Sequence, residues 1–270
     1  MNTEKQSRFT FPLLAVLLVS SFLISACSLA ALFTSAPNTT REPESTALPG
    51  ADASLHFSLD TGSLATGFQT ETIAAVSVSD NAPYWEKLPE YTLVTLQGYP
   101  ISSHLMKPQI FIYPAEELRQ LNEATSSQAF SLQFLLGNPQ EIERMPFMPL
   151  LNASQMMHAH VQFLDFKDGQ GLRYLTEFAQ GIVPINNNEL IYTYQGLTRD
   201  GKYYVAAVLP VNHPSLPADG NVTGNEPPEF NSDFPVYLAN VVMFLNPQPA
   251  NSFIPDLTQL DAMMSSLEVK

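Results

Sequence analysis

Apolar residues fall along this chain in three regimes. Residues 9–26 are almost continuously apolar, broken only by Pro12 and a few serines and threonines. Residues 28–50 carry no hydrophobic period and are dominated by Ser, Thr, Pro and small side chains. From about residue 54 the pattern is that of a folded domain, with short alternating runs between Gly, Pro and Asp, and helical spacing toward the end.

Within that domain two hairpins dominate. Residues 157–166 alternate, meet Lys167-Asp168-Gly169-Gln170-Gly171 and resume over 172–178. Asp followed by Gly supplies the positive backbone angles of a tight turn, so this is strand, turn, strand. Residues 190–197 are rich in β-branched and aromatic side chains, Arg199-Asp200-Gly201-Lys202 forms the turn, and 203–211 return. That return strand is apolar on both faces, which predicts a central strand covered on each side. Runs at 72–78, 91–96 and 109–113 predict three further strands.

Pro114 ends the last of these. A helix over 115–123 follows, with Glu116 and Glu117 in the first turn, where the helix dipole favours them. A second helix is predicted over 128–136, and 141–151, set among Pro139, Pro146 and Pro149, is irregular. Residues 234–245 form an apolar helix. Residues 256–267 form an amphipathic one, apolar at 257, 260, 263, 264 and 267 and capped by Asp256. Antiparallel hairpins with helices between and after them predict an α+β fold, mainly antiparallel sheet with helices packed on it, extending to an α/β/α sandwich.

The apolar run at the amino terminus is preceded by a polar stretch with Lys5 and Arg8 and closes as Leu23-Ile24-Ser25-Ala26-Cys27. This leader resembles the lipobox of bacterial lipoproteins: an aliphatic residue three before the cysteine, small residues next, then Cys27. The resemblance covers only residues 1–27. It implies diacylglycerol on the Cys27 sulfur, cleavage before it, acylation of the new amino terminus, and residence on the extracytoplasmic face of a bacterial membrane. The domain organisation that follows is a signal peptide at 1–26, a flexible tether at 27–53 and a single globular domain at 54–270. A tether of this composition buries too little apolar surface to offset its ordering entropy. The closing segments Tyr192-Thr193-Tyr194, Gly201-Lys202-Tyr203-Tyr204-Val205 and Met264-Ser265-Ser266-Leu267-Glu268-Val269 are similar to the PsbP/Mog1-like α/β/α sandwich, a family that is mostly accessory and non-enzymatic.

Charge narrows the partners. The chain holds 26 acidic against 12 basic residues, a formal −14. Nucleic-acid binding needs basic patches for phosphates, so it is not expected. Cys27 is the only cysteine, which leaves no disulfide framework and no cysteine-rich metal site.

Candidate chemistry is sparse. His158 and His160 stand two apart on a predicted strand, where both imidazoles face one side and reach a common metal ion. Asp165 and Asp168 flank the first turn and are explained as turn residues. The aromatic residues of the second hairpin, Tyr192, Tyr194, Tyr203 and Tyr204, offer ring faces to a sugar or peptide in a groove. The segment 214–235 is longer than most connections and rich in oxygen donors, which favours a functional loop, although the spacing matches no EF-hand. Serine-hydrolase, zinc-protease and phosphate-loop signatures are absent from the sequence.

The expectation is a lipid-anchored extracytoplasmic accessory or binding protein without catalytic activity or cofactor. Its contacts would be the membrane, through the lipid on Cys27, and a protein or small-molecule partner. Two alternatives are an extracytoplasmic metal-assisted hydrolase using His158 and His160, and a solute-binding component of an uptake system.

Overall fold

Strands that are apolar on both faces need a layer on each, and that requirement organises the molecule. A computed structural model describes residues 55–76, 82–139 and 145–270. Nine strands and five α-helices succeed one another among them: β1 (Phe57–Ser58), β2 (Gly67–Ile73), β3 (Tyr91–Gln97), β4 (Gln109–Pro114), α1 (Ala115–Leu121), α2 (Glu123–Gly137), β5 (Ser154–Phe166), β6 (Gly169–Ala179), β7 (Ile191–Thr198), β8 (Tyr203–Pro210), α3 (Pro228–Ser232), α4 (Phe234–Leu245), α5 (Leu257–Ser266) and β9 (Glu268–Val269).

Seven strands form one antiparallel sheet in the order β2-β3-β4-β8-β7-β6-β5, while β1 and β9 pair separately. The sheet is two meanders joined where β4 pairs with β8, in a register that sets Ile112 against Val205. Between β4 and β5 the chain crosses to the far edge through α1 and α2. The α+β expectation therefore holds, with a large antiparallel sheet and helices packed on it.

Every residue of β7 is buried, and side chains alternate between the two faces. Tyr192 and Tyr194 enter a core with Tyr237 of α4 and Leu257, Leu260 and Met264 of α5. Ile191 and Leu197 enter the opposite core with Leu118 of α1 and Leu132 of α2. Helices thus cover both faces, and the two cores are separated by the sheet itself.

Local chemistry explains the helix boundaries. Asn122 adopts an extended conformation between α1 and α2, and its side chain accepts from Thr125 N. The Thr125 hydroxyl donates to Leu118 O at 2.7 Å, satisfying a carbonyl at the end of α1. Asp256 caps α5 by accepting from Thr258 N, as its spacing predicts. The strand expected at 72–78 lies earlier, at Gly67–Ile73. It is chosen by its ladder with β3, from Gly67↔Gln97 to Ile73↔Tyr91, and edge exposure tolerates its polar Gln69, Thr70 and Glu71. Of the apolar run that suggested a later strand, Val76 makes one isolated bridge to Leu88, and residues 77–78 lie outside those described. The segment 214–235 is not all loop: Pro227 and Pro228, compatible with a helix start, introduce the short α3.

The first hairpin depends on two close approaches. A Cβ on Gly171 would sit 2.5 Å from Gln195 O and 2.5 Å from the Tyr194 hydroxyl, both in the sheet interior. Gly171→Ala is expected to lower stability by about 1–3 kcal/mol, the usual cost of overpacking. Gly181→Ala, whose Cβ meets nothing within 4 Å, is the control and should be near neutral. Urea unfolding midpoints of the two variants check this, and an unchanged midpoint for Gly171→Ala would refute the packing account.

Candidate functional site

The β5 edge strand carries both candidate metal ligands, and its irregularity decides what they do. The β5–β6 register shifts between Gln155/Met157 and between Ala159/Gln162, each placing an extra residue in β5. At the second shift His160 takes a left-handed φ of 51°, uncommon for a side chain other than glycine. Strict alternation is thereby broken. His160 is drawn to the end of α4, where its backbone N donates to Asn246 Oδ1 at 2.8 Å and its Nε2 lies 2.6 Å from Leu245 O. That ring nitrogen is engaged by a helix-terminal carbonyl, a structural use of the imidazole. His158 and His160 line one shallow cleft with Gln162 and Arg173. Burial lowers the pKa of both imidazoles, so both favour the neutral form. Among the described residues no group of three or more His, Cys, Asp or Glu is placed to hold a metal ion.

Beside this cleft lies a buried polar network that ties the sheet to α5. Arg173 Nε and Nη2 donate to the two oxygens of Asp261 at 3.1 and 3.3 Å, and Nη2 also donates to Gln162 Oε1 at 2.7 Å. Nη1 donates to His160 O, and Tyr192 Oη donates to Asp261 Oδ1 at 2.9 Å. A bidentate guanidinium–carboxylate pair with its remaining donors satisfied is a geometry in which a buried charge is tolerated.

The four tyrosines do not share a surface. Tyr192 and Tyr194 are buried in the core under α4 and α5, and Tyr204 is buried in the core under α1 and α2. Their hydroxyls donate to Asp261, Leu164 O and Gln195 Oε1 respectively. Only Tyr203, at the start of β8, is partly exposed. Sheet alternation sends Tyr203 and Tyr204 to opposite faces, so the hairpin offers no common groove of ring faces.

A cleft appears where the 214–235 segment crosses α4. It holds about 590 Å³, within the ordinary range for small-molecule sites. Ile185, Leu216, Tyr237, Val241 and Phe244 form apolar walls, and Asn225, Glu226 and Glu229 stand at the rim. Tyr237 Oη accepts from Ile185 N at 2.9 Å. Among the described hydrogen bonds its proton has no acceptor. Glu226 accepts from Thr223 N, Thr223 Oγ1 and Gly224 N, and these bonds hold its carboxylate below the usual range and ionised. Behind Phe244 stands His213, nearly inaccessible, its ring edge-on to Phe244 at 5.6 Å and its Nε2 without a hydrogen-bond partner. Sequence reasoning singled out the segment by its length. It missed the α4 wall, because an apolar helix gives no sign of which face stays open.

The base of the segment rests on a buried acid. Glu177 is inaccessible, and its carboxylate accepts from Asn186 N at 2.9 Å. Asn186 Nδ2 donates to Pro184 O and to Glu189 Oε2, each at 3.0 Å. Gly220 of the crossing segment packs here, since a Cβ on it would lie 3.3 Å from Asn186 Nδ2. Burial raises the Glu177 pKa to about 8, and the neighbouring Glu189 carboxylate adds to the rise. Cys27 and its leader lie outside the described residues.

Glu177 gives a pH dependence of stability with a definite sign. Its folded pKa lies above the ordinary carboxylate value of 4.5, so between the two the folded state holds a proton that the unfolded state has lost. That contribution is fully present below about pH 4.5 and is lost as pH rises toward 8, at no more than about 1.4 kcal/mol per pH unit. Glu177→Gln, which keeps the amide-like neutral form, should flatten this part of the profile. Urea midpoints from pH 5 to 9 test it, and identical slopes for both proteins would remove Glu177 as the cause.

No family model, no curated protein and no solved structure matches this chain.

Proposed function

We propose that this chain is a lipid-anchored extracytoplasmic binding protein, held to a bacterial membrane through Cys27 and carrying its ligand site in the cleft between the 214–235 segment and α4. The observation that carries the binding role is that cleft: about 590 Å³, apolar-walled, with Tyr237 in its wall and Glu226 and Glu229 among its lining residues. Such a site suits an amphipathic small molecule with an apolar body and a hydrogen-bond acceptor that reaches Tyr237. The ionised Glu226 at the rim disfavours an anionic head.

The anchor rests on the leader residues Ile24-Ser25-Ala26-Cys27. Two or three acyl chains at one terminus hold a protein durably on a bilayer, where one chain binds only marginally. The similarity to PsbP/Mog1-like sandwiches belongs to the same reading, and the antiparallel sheet with helices on both faces is compatible with it. A two-lobed solute receptor is less well supported, since the described residues fall in one compact unit. The hydrolase reading draws no support from His160, whose Nε2 meets Leu245 O.

Two measurements separate the parts of the proposal. In cells, Cys27→Ser should move the protein from the membrane pellet to the soluble fraction and abolish incorporation of labelled palmitate. Retention of label by the variant would refute the anchor. In vitro, an uncharged apolar fluorophore should bind the detergent-solubilised full chain, and Val241→Trp, which fills the cleft, should weaken it at least about tenfold without changing the melting temperature. Equal binding by the two proteins would refute the cleft as the site.

A further inference from the structure

A second groove, apart from the cleft, runs along the outer edge of β5. Residues 155–158 form its floor, α2 walls one side through Ser127 and Ser131, and α4 walls the other through Leu238 and Val242; its volume is about 770 Å³. The sheet order ends at β5, so among the described residues no strand pairs with this outer edge. Apart from His160 N, which donates to Asn246 Oδ1, its outward backbone groups need partners that water or another strand can supply.

The chemistry of the groove is unusual for this protein. The chain carries a formal −14, yet residues 124–139, 145–164 and 234–255, which supply floor and walls, contain none of its Asp, Glu, Lys or Arg. Among the described residues lining the groove His158 is the one titratable side chain, and burial lowers its pKa toward the neutral form. Edge strands are commonly guarded by charge, and this one carries none before Asp165 near its end. On the α4 wall Met243 is 71% exposed, while the α2 wall is uncharged but polar, with Ser127, Gln128 and Ser131.

These features select the occupant. A charged side chain entering the groove would lose hydration and, among the described residues that line it, meet no counter-ion. Hydrocarbon would leave the strand edge unpaired, which excludes a bilayer as the favoured partner. The two register shifts in β5, with His160 N closed off by Asn246, limit regular pairing to a few residues. That length disfavours a second copy pairing its whole β5 and favours a short strand.

We propose that the β5 groove docks a short extended peptide segment without charged side chains, added to the sheet as an eighth strand. Main-chain hydrogen bonds to β5 supply the affinity, and alternate side chains pack toward α2 and α4. This site stands apart from the cleft under the 214–235 segment and does not require the anchor.

The test uses the detergent-solubilised full chain and an immobilised array of peptides of about six residues. The array compares uncharged alternating sequences, the same sequences with Lys or Glu inserted, and versions N-methylated at alternate amides. A subset of uncharged peptides should bind at least about tenfold better than the charged and N-methylated forms, and Met243→Lys should weaken them by a similar factor. Bound peptide should slow amide exchange at residues 154–159. Met243 is exposed, so the melting temperature of the variant should be unchanged, and Ala239→Glu provides a second charge at an exposed position of the same wall. The proposal is overturned if no peptide binds, if charged or N-methylated peptides bind equally, or if exchange slows in the 214–235 cleft instead. It is also overturned if the full chain dimerises without peptide and Met243→Lys abolishes the dimer, which would make a second copy the occupant, or if phosphatidylcholine vesicles alone protect residues 154–159.

Discussion

The rest of the molecule depends on the burial of β6, β7 and β8 on both faces. Ile191–Thr198 has no exposed residue, and nearly all of Tyr203–Pro210 is buried. A sheet of that composition is stable in water only between two apolar layers. Helices α1 and α2 supply one layer before the central strands are made. Helices α4 and α5 supply the other after them. Among the polar side chains that enter this interior Gln195 is fully paired, accepting from Met148 N and Tyr204 Oη and donating to Met148 O and Thr193 Oγ1, whereas the buried Tyr113 Oη has no partner among the described residues. A buried amide with its groups paired specifies one register at little cost, where an unpaired one would be strongly destabilising.

The second layer is where the molecule stops satisfying itself. Helix α4 has no charged residue and buries only Tyr237 and Leu245 fully. Its exposed positions include Val236, Met243 and Phe244, spaced along one face where a surface helix is ordinarily polar. Exposed apolar area of this kind marks an interaction surface more often than isolated exposed residues do. The same helix walls the cleft under the 214–235 segment on one side and the β5 groove on the other. Its C-terminus is fastened to the sheet edge through His160 and Asn246. One helix therefore connects two candidate sites.

Much of this was legible in the residues. Asp–Gly turns and alternating apolar runs located β5 through β8, because hairpin chemistry is local and its period is two. The spacing at 257, 260, 263, 264 and 267 located α5, and Asp256 its start, because capping is also local. What failed was long-range. The strand at Gly67–Ile73 is polar and owes its place to β3 alone. His158 and His160 do line one cleft, but the strand period gave no sign that the end of α4 would engage His160 Nε2 through Leu245 O. The tyrosines were grouped by adjacency along the hairpin, and the pleat divided them between two cores. The burial of Glu177 gave no signal, since it comes from Asn186 and the crossing Gly220, residues nine and more positions away.

The sequence by itself determined the α+β class, the two central hairpins, the closing helix and the expectation of a lipid anchor at Cys27. Each of these depends on residues close together along the chain, where propensity, periodicity and turn chemistry act directly. Tertiary structure alone decided which faces were buried, where the ladder ended and which titratable groups lost their water. Those outcomes depend on residues brought together from distant segments. The charge-free stretches at 124–139, 145–164 and 234–255 illustrate the difference. Apart, each is an uncharged run; packed around the open edge of β5, they become the walls and floor of one groove.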